Sequence, residues 1–230
     1  MSGEHIQWVS EGWGGGGYLA VPEGGSGPGV LVLHAWWGLT PFFTALCDRL
    51  AAAGFTALAP DLYGDGATAS TLEQAEQLMA NRNVERIRAT LWGASDHLRQ
   101  HPATQSRPLG VVGFSMGAAW ALIAATDRPA DYAAAVLFYG TSGADFASMR
   151  ASVMGHYADD DAWEPLEDVR HMEADMQAAH LETSFYVYPN THHWFFESNR
   201  LEFDFSAATL AWERTLAFLD KQLGIPTSVM

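Results

Sequence analysis

A single cysteine, Cys47, in 230 residues excludes an intrachain disulfide and any metal site built from several thiolates. Basic residues are also scarce: 12 Lys and Arg stand against 27 Asp and Glu, a formal net charge of −15. Such a surface repels phosphate backbones and anionic lipid, so nucleic acid is not an expected partner. No apolar run approaches the ~20 residues that span a bilayer. No basic N-terminal patch leads into an apolar stretch, as a signal peptide would. These absences predict a cytoplasmic protein without membrane contact. Internal repeats, low-complexity tracts and linkers are missing too, so residues 1–230 read as one domain. No predicted element carries His, Asp or Glu at metal-ligand spacing, and no metal is expected. The glycine-rich stretches at 14–17 and 24–29 do not follow a parallel strand and open a helix, as a nucleotide cradle would. Both read as turns, and no cofactor is expected.

Apolar residues, by contrast, make up 48% of the chain, and nine of the aromatics are Trp. Short apolar runs at 30–33, 55–59, 110–114, 134–139, 153–157 and 185–188 read as strands buried on both faces. Helical stripes separate several of them. Phe43, Leu46, Cys47 and Leu50 share one face, behind Thr40 as N-cap candidate and Pro41 at the first helical position. Further stripes are Val84, Ile87, Leu91 and Leu98, then Leu166, Val169, Met172 and Met176. A last one, Trp212, Leu216, Leu219 and Leu223, stops at Gly224 with Pro226 just beyond. Alternation of this kind implies an α/β fold with a mostly parallel sheet covered by helices on both faces. The N-terminal HIQWVS and GYLAVPEG, joined through EGWGGGG, read as a hairpin at the antiparallel edge of that sheet.

GVVGFSMGAAW, residues 110–120, sets Ser115 between Gly113 and Gly117, after a strand and before a helix. A turn that tight needs small flanking residues and holds the hydroxyl out at the carboxyl end of the sheet, over a helix N-terminus. Such a serine needs a base and an acid to orient the base. Both are expected later in the chain, in loops that follow strands, acid first. ADDDAWEP and THHWFF meet that order. Within them Asp159, Asp160 and Asp161 compete, with Asp145 a weaker fourth, and His192 and His193 cannot be separated by local sequence. His156 lies in a strand pattern and His171 and His180 on a helix, where structural roles are expected; His5, His97 and His101 read as surface or turn residues.

The stretches GVLVLHAWWGLTPF, GFTALAPDLYGDG, GVVGFSMGAAW, GHYADDDAWEP, YPNTHHWFF and AATLAWERTLAFLDKQL resemble the dienelactone hydrolase family of α/β-hydrolases along nearly the whole chain. The resemblance implies an α/β-hydrolase fold and a catalytic set of Ser115, Asp161 and His193. It also implies an oxyanion site made by the backbone N–H groups of Trp36 and Met116. Two departures stand out. The family's namesakes carry a cysteine nucleophile and a glutamate after strand three, where this chain has Ser115 and Ala35. They also hold an anionic lactone with arginines, one shortly after the histidine, where this chain has Glu197. The expected reaction is therefore serine hydrolysis of a small, uncharged ester or lactone through an acyl-enzyme. Ala35, Trp37, Trp194 and Phe195 are expected to line the substrate site, with Trp36 beside them. Acyl transfer and ligand binding on a retired hydrolase scaffold are the competing readings. Oligomeric state is expected to be a monomer or small homo-oligomer.

Overall fold

The computed structural model describes residues 3–105 and 108–224. Pro226 lies outside them. Strands β1 (Glu4–Ser10) and β2 (Trp13–Ala20) form the expected antiparallel hairpin. Its turn is only Glu11 and Gly12, both at positive φ (52° and 82°), as a two-residue hairpin turn requires. The glycines at 14–17 are therefore not a turn; they are strand, paired with Trp8 and its neighbours. The reason is steric at two of them. A Cβ on Gly15 would lie 2.5 Å from the Trp8 ring, and one on Gly17 would lie 2.4 Å from the Ala59 carbonyl. The second stretch does turn at Gly24 and Gly25, then enters β3 (Gly29–Leu33).

Six further strands complete the sheet: β3, β4 (Thr56–Pro60), β5 (Leu109–Phe114), β6 (Tyr132–Phe138), β7 (Ser152–Ala158) and β8 (Thr183–Tyr188). Their order is β1-β2-β4-β3-β5-β6-β7-β8, with β2 antiparallel to β4 and every pair from β4 onward parallel. Helices α1 (Pro41–Ala52) and α6 (Phe205–Leu223) lie on one face, where Phe43, Leu46, Leu50, Ala211, Phe218 and Leu219 are buried against the sheet. Helices α3 (Val84–Gln100), α4 (Met116–Asp127) and α5 (Leu166–Ala178) cover the other, through residues such as Leu91, Leu122 and Met176. Cys47 is fully buried, and burial pushes its thiol well above the usual range, as for an inert core residue.

Local signals account for the helix ends unevenly. Thr40 occupies the N-cap of α1, but its hydroxyl makes no capping bond; Pro41 supplies the start. Gly224 ends α6 at φ 67°, the left-handed C-cap expected of glycine. Helix α2 (Leu72–Ala80) was not legible as a stripe, because Ala75 is its only fully buried residue. Its start is fixed by Thr71, whose Oγ1 accepts the Gln74 N–H at 3.3 Å.

Candidate active site

The β5–α4 junction has no loop at all. Strand β5 ends at Phe114, α4 begins at Met116, and Ser115 between them is held at φ 51°, ψ −114°. Strain at a non-glycine residue of this kind persists only where the surroundings enforce it. Here the Ser115 N–H donates to the Phe138 carbonyl at 2.9 Å. The flanking glycines have no room for a side chain: a Cβ on Gly113 would lie 2.3 Å from the Gly117 carbonyl oxygen, and one on Gly117 2.1 Å from that of Leu33. Gly140, across the sheet, is confined in the same way by the Ser115 carbonyl at 2.5 Å.

The loops after β7 and β8 bring their side chains to this serine. His193 Nε2 lies 3.0 Å from Ser115 Oγ, and His193 Nδ1 lies 2.8 Å from Asp161 Oδ2. The imidazole and the carboxylate are 4% and 2% exposed, so water competes little for either bond. A carboxylate can only accept, which puts the proton on Nδ1 and leaves Nε2 free to accept from the serine hydroxyl. The other carboxylate oxygen is occupied as well: Asp161 Oδ1 accepts the N–H groups of Trp163 (2.8 Å) and Glu164 (3.0 Å).

The remaining candidates take other partners. Asp159 accepts the Thr191 N–H at 3.1 Å and so ties the two loops together. Asp160 is 80% exposed and sits beside His192, which is turned outward with its Nδ1 on the Asp160 carbonyl. Asp145 caps a short 3-10 turn. His156 is buried between the Tyr188 and Thr215 hydroxyls, and burial, then Arg214, pushes its pKa down to about 3. His171 and His180 are exposed, the latter just beyond the end of α5 at φ 63°.

The loop after β3 is held from two sides by residues that sequence reasoning passed over. His34, whose pKa burial lowers, bonds the Ala35 carbonyl through Nδ1 (2.6 Å) and accepts the Leu62 N–H at Nε2 (3.0 Å). The Tyr63 hydroxyl donates to the Trp36 carbonyl at 2.8 Å and lies 3.8 Å from Met116 Sδ. Carbonyls of this loop are thereby engaged. The N–H groups of Trp36 and Met116 meet no acceptor among the described residues. The signal for His34 and Tyr63 was present in the HAWWG and PDLY stretches, but not the contact of their rings at 5.5 Å.

The dienelactone hydrolase family profile matches residues 16–223. The chain belongs to the dienelactone hydrolase family. Protein usf of Aquifex pyrophilus is 30% identical over 217 residues, covering 90% of this chain and 93% of that one. Carboxymethylenebutenolidase 1 of Cupriavidus pinatubonensis is 29% identical, covering 89% and 90%. Among solved structures, a putative dienelactone hydrolase from Klebsiella pneumoniae superposes with a TM-score of 0.83 at 25% identity, over 96% of this chain and all of that one. A thermophilic esterase from Thermogutta terrifontis shares the fold at a TM-score of 0.76 and 16% identity, over 99% and 95%.

Relative to that dienelactone hydrolase pattern, two expectations need correction. Glu197 was expected to present a repelling carboxylate. It is instead fully buried, with Oε1 accepting the Tyr139 hydroxyl at 2.9 Å and Oε2 unpartnered among the described residues. Burial raises its pKa to about 7. Tyr139, held at φ 38°, packs its ring 4.9 Å from that of His193, and both Tyr139 and Glu197 are fully buried. Second, Ala35 and Phe195 have no exposed surface. The Phe195 ring is packed between Tyr139 and Tyr188, which makes it core beneath the histidine loop. Trp37 and Trp194 are also buried, though together with Leu72 and Leu201 they bound a cavity of about 310 Å³. A larger concavity, about 870 Å³, lies between the hairpin and residues 61–66; neither the serine nor its histidine lines it.

Glu197 carries a pH signature. Its folded pKa stands above its ordinary value near 4.5, so the native state keeps a proton that the unfolded chain releases. Stability therefore falls as pH rises from about 4.5 to about 7, by about 3 kcal/mol, and the loss is complete above that window. Glu197→Gln keeps an acceptor for Tyr139 and removes the titration. Urea unfolding should find the variant gaining on the wild type between pH 5 and pH 8; an unchanged gap would contradict a buried, titrating Glu197.

Proposed function

We propose that this protein is a cofactor-independent serine hydrolase of small, uncharged esters or lactones. One observation carries the reading: an unbroken hydrogen-bonded line from Asp161 through His193 to Ser115, at a strained strand-to-helix turn. Ser115 Oγ attacks the carbonyl carbon while His193 Nε2 takes its proton. Asp161 holds the imidazole in the tautomer that can accept and stabilises the imidazolium that forms. The carbonyl oxygen becomes an oxyanion facing the N–H groups of Trp36 and Met116, each worth ~3 to 4 kcal/mol in the transition state. His193 returns the proton to the leaving oxygen, and water then attacks the acyl-enzyme by the same route.

Family membership supports the ester or lactone bond as the target, and the curated relatives named carboxymethylenebutenolidase act on a lactone by their printed name. The preference for uncharged substrates rests on charge. Glu164 lies close enough to His193 and Asp161 to interact electrostatically, its carboxyl held by the Thr141 hydroxyl at 2.6 Å and its pKa raised by burial. Four arginines considered as an offset are engaged elsewhere: Arg88 with Asp127, Arg86 with the Gly64 carbonyl, Arg82 with that of Met79, and Arg200 over the Trp37 ring. A net charge of −15 adds to the bias.

Intact-protein mass after exposure to a fluorophosphonate tests the reading directly. The expected result is one adduct on the wild type and none on Ser115→Ala. A folded wild type that stays unlabelled sinks it.

A further inference from the structure

Of the indoles that meet near the serine, three are largely withdrawn from solvent and one is not. Trp37 and Trp194 are 2% and 6% exposed and Trp36 is half-buried, whereas Trp163 is 49% exposed. Its position is nonetheless fixed. The Trp163 N–H donates to Asp161 Oδ1, and its ring meets that of Trp36 edge to face at 5.1 Å and that of Trp194 at 6.1 Å. Its centroid lies 6.5 Å from that of His193. A fixed, half-bare indole is a large apolar surface left to water at the rim of the reacting groups, where a ligand gains most by covering it.

The direction of the chemistry says which part of a substrate reaches it. His193 must hand its proton to the leaving oxygen, so the alcohol-derived group sits against the histidine. Among the aromatic rings packed about His193, Trp163 is the exposed one, with its centroid 6.5 Å from the imidazole. Trp36, in the reading above, is committed through its backbone N–H to the carbonyl oxygen.

We propose that Trp163 is a specificity-determining residue that holds an aromatic alcohol-derived group, so the preferred substrates are neutral esters of aromatic alcohols. This rests on the serine hydrolase reading and names the substrate class for that same site. An aryl ring lying on the exposed half of the indole gains a stacking partner and removes apolar surface from water. Contacts with the Trp36 and Trp194 rings hold the indole in place before the substrate arrives.

The test compares substrates in pairs, so that a general loss of activity cancels. Wild type, Trp163→Ala and Trp163→Phe are assayed for kcat/KM on benzyl acetate, ethyl acetate and ethyl phenylacetate. In Trp163→Ala the preference for benzyl acetate over ethyl acetate should fall about tenfold, mostly through KM. Trp163→Phe should restore much of it. The preference for ethyl phenylacetate over ethyl acetate, with the ring on the acyl side, should hold. If all three esters lose rate by one factor, Trp163 merely shields the Asp161–His193 bond and the inference is overturned. A constant benzyl preference, or loss on the acyl side instead, overturns it as well. Failure of the underlying reading looks different: the wild type itself would cleave none of the three and take no fluorophosphonate.

Discussion

Ser115→Ala should lower kcat by roughly 10⁴-fold or more on any ester that the wild type cleaves, with the protein still folded. The magnitude follows from how much of the proposed reaction passes through one atom. Without Oγ no covalent intermediate forms, and His193 Nε2 loses the only side-chain hydroxyl it bonds among the described residues. What survives is the proposed oxyanion site and the positioning of substrate, which can still assist a direct attack by water. The fold should be indifferent to the change. The strained turn is imposed by the Ser115 N–H bond to Phe138 and by the glycine contacts on either side, and alanine keeps the backbone that makes them. Steady-state rates on purified protein, with circular dichroism as the check on folding, decide it. An undiminished kcat would move the nucleophile elsewhere.

The serine was the most legible residue of the site because its requirement is local: glycines at fixed spacing between a strand and a helix are a steric statement that sequence can carry. The same holds for the sheet. Strands buried on both faces are continuous apolar runs, and β3, β5 and β6 could be read from composition alone, as could the stripes of α1 and α6. Where burial is thin the signal fails. Helix α2 buries little, and the glycine-rich β2 looked like a turn because nothing nearby in sequence reveals the Trp8 ring or the Ala59 carbonyl that exclude side chains there.

Long-range pairing was the harder part. Three consecutive aspartates have almost the same local environment in sequence, yet Asp159 ties down the Thr191 amide, Asp160 faces solvent and Asp161 turns to His193. Only family resemblance separated them beforehand. Glu197 was misread for the same reason. Its partner Tyr139 lies 58 residues away, so a charge that looked like a repelling group is a core acid whose pKa burial raises. Trp163 carries no local signal, being one aromatic in an acidic loop; its contacts with Trp36 and Trp194 exist only once the loops after β3, β7 and β8 converge.

Asp161→Asn should cost about as much as losing the serine, near 10⁴-fold in kcat, although it changes one oxygen to nitrogen. The reason lies in the two N–H groups on Asp161 Oδ1. Trp163 and Glu164 both donate there, so an asparagine must place its carbonyl oxygen at that position to accept them. Its NH₂ group is then forced into the Oδ2 position, 2.8 Å from His193 Nδ1. A donor facing Nδ1 drives the imidazole proton to Nε2, and Nε2 can no longer accept from Ser115. The loop itself should stay intact, since both backbone bonds survive. Asp160→Asn is the matched control: that carboxylate is 80% exposed, and its loss should change kcat by less than about twofold. Fluorophosphonate labelling should slow in parallel with turnover in Asp161→Asn, because both depend on the same proton transfer. Comparable losses in the two asparagine variants would mean that the loop, and not the tautomer of His193, sets the rate.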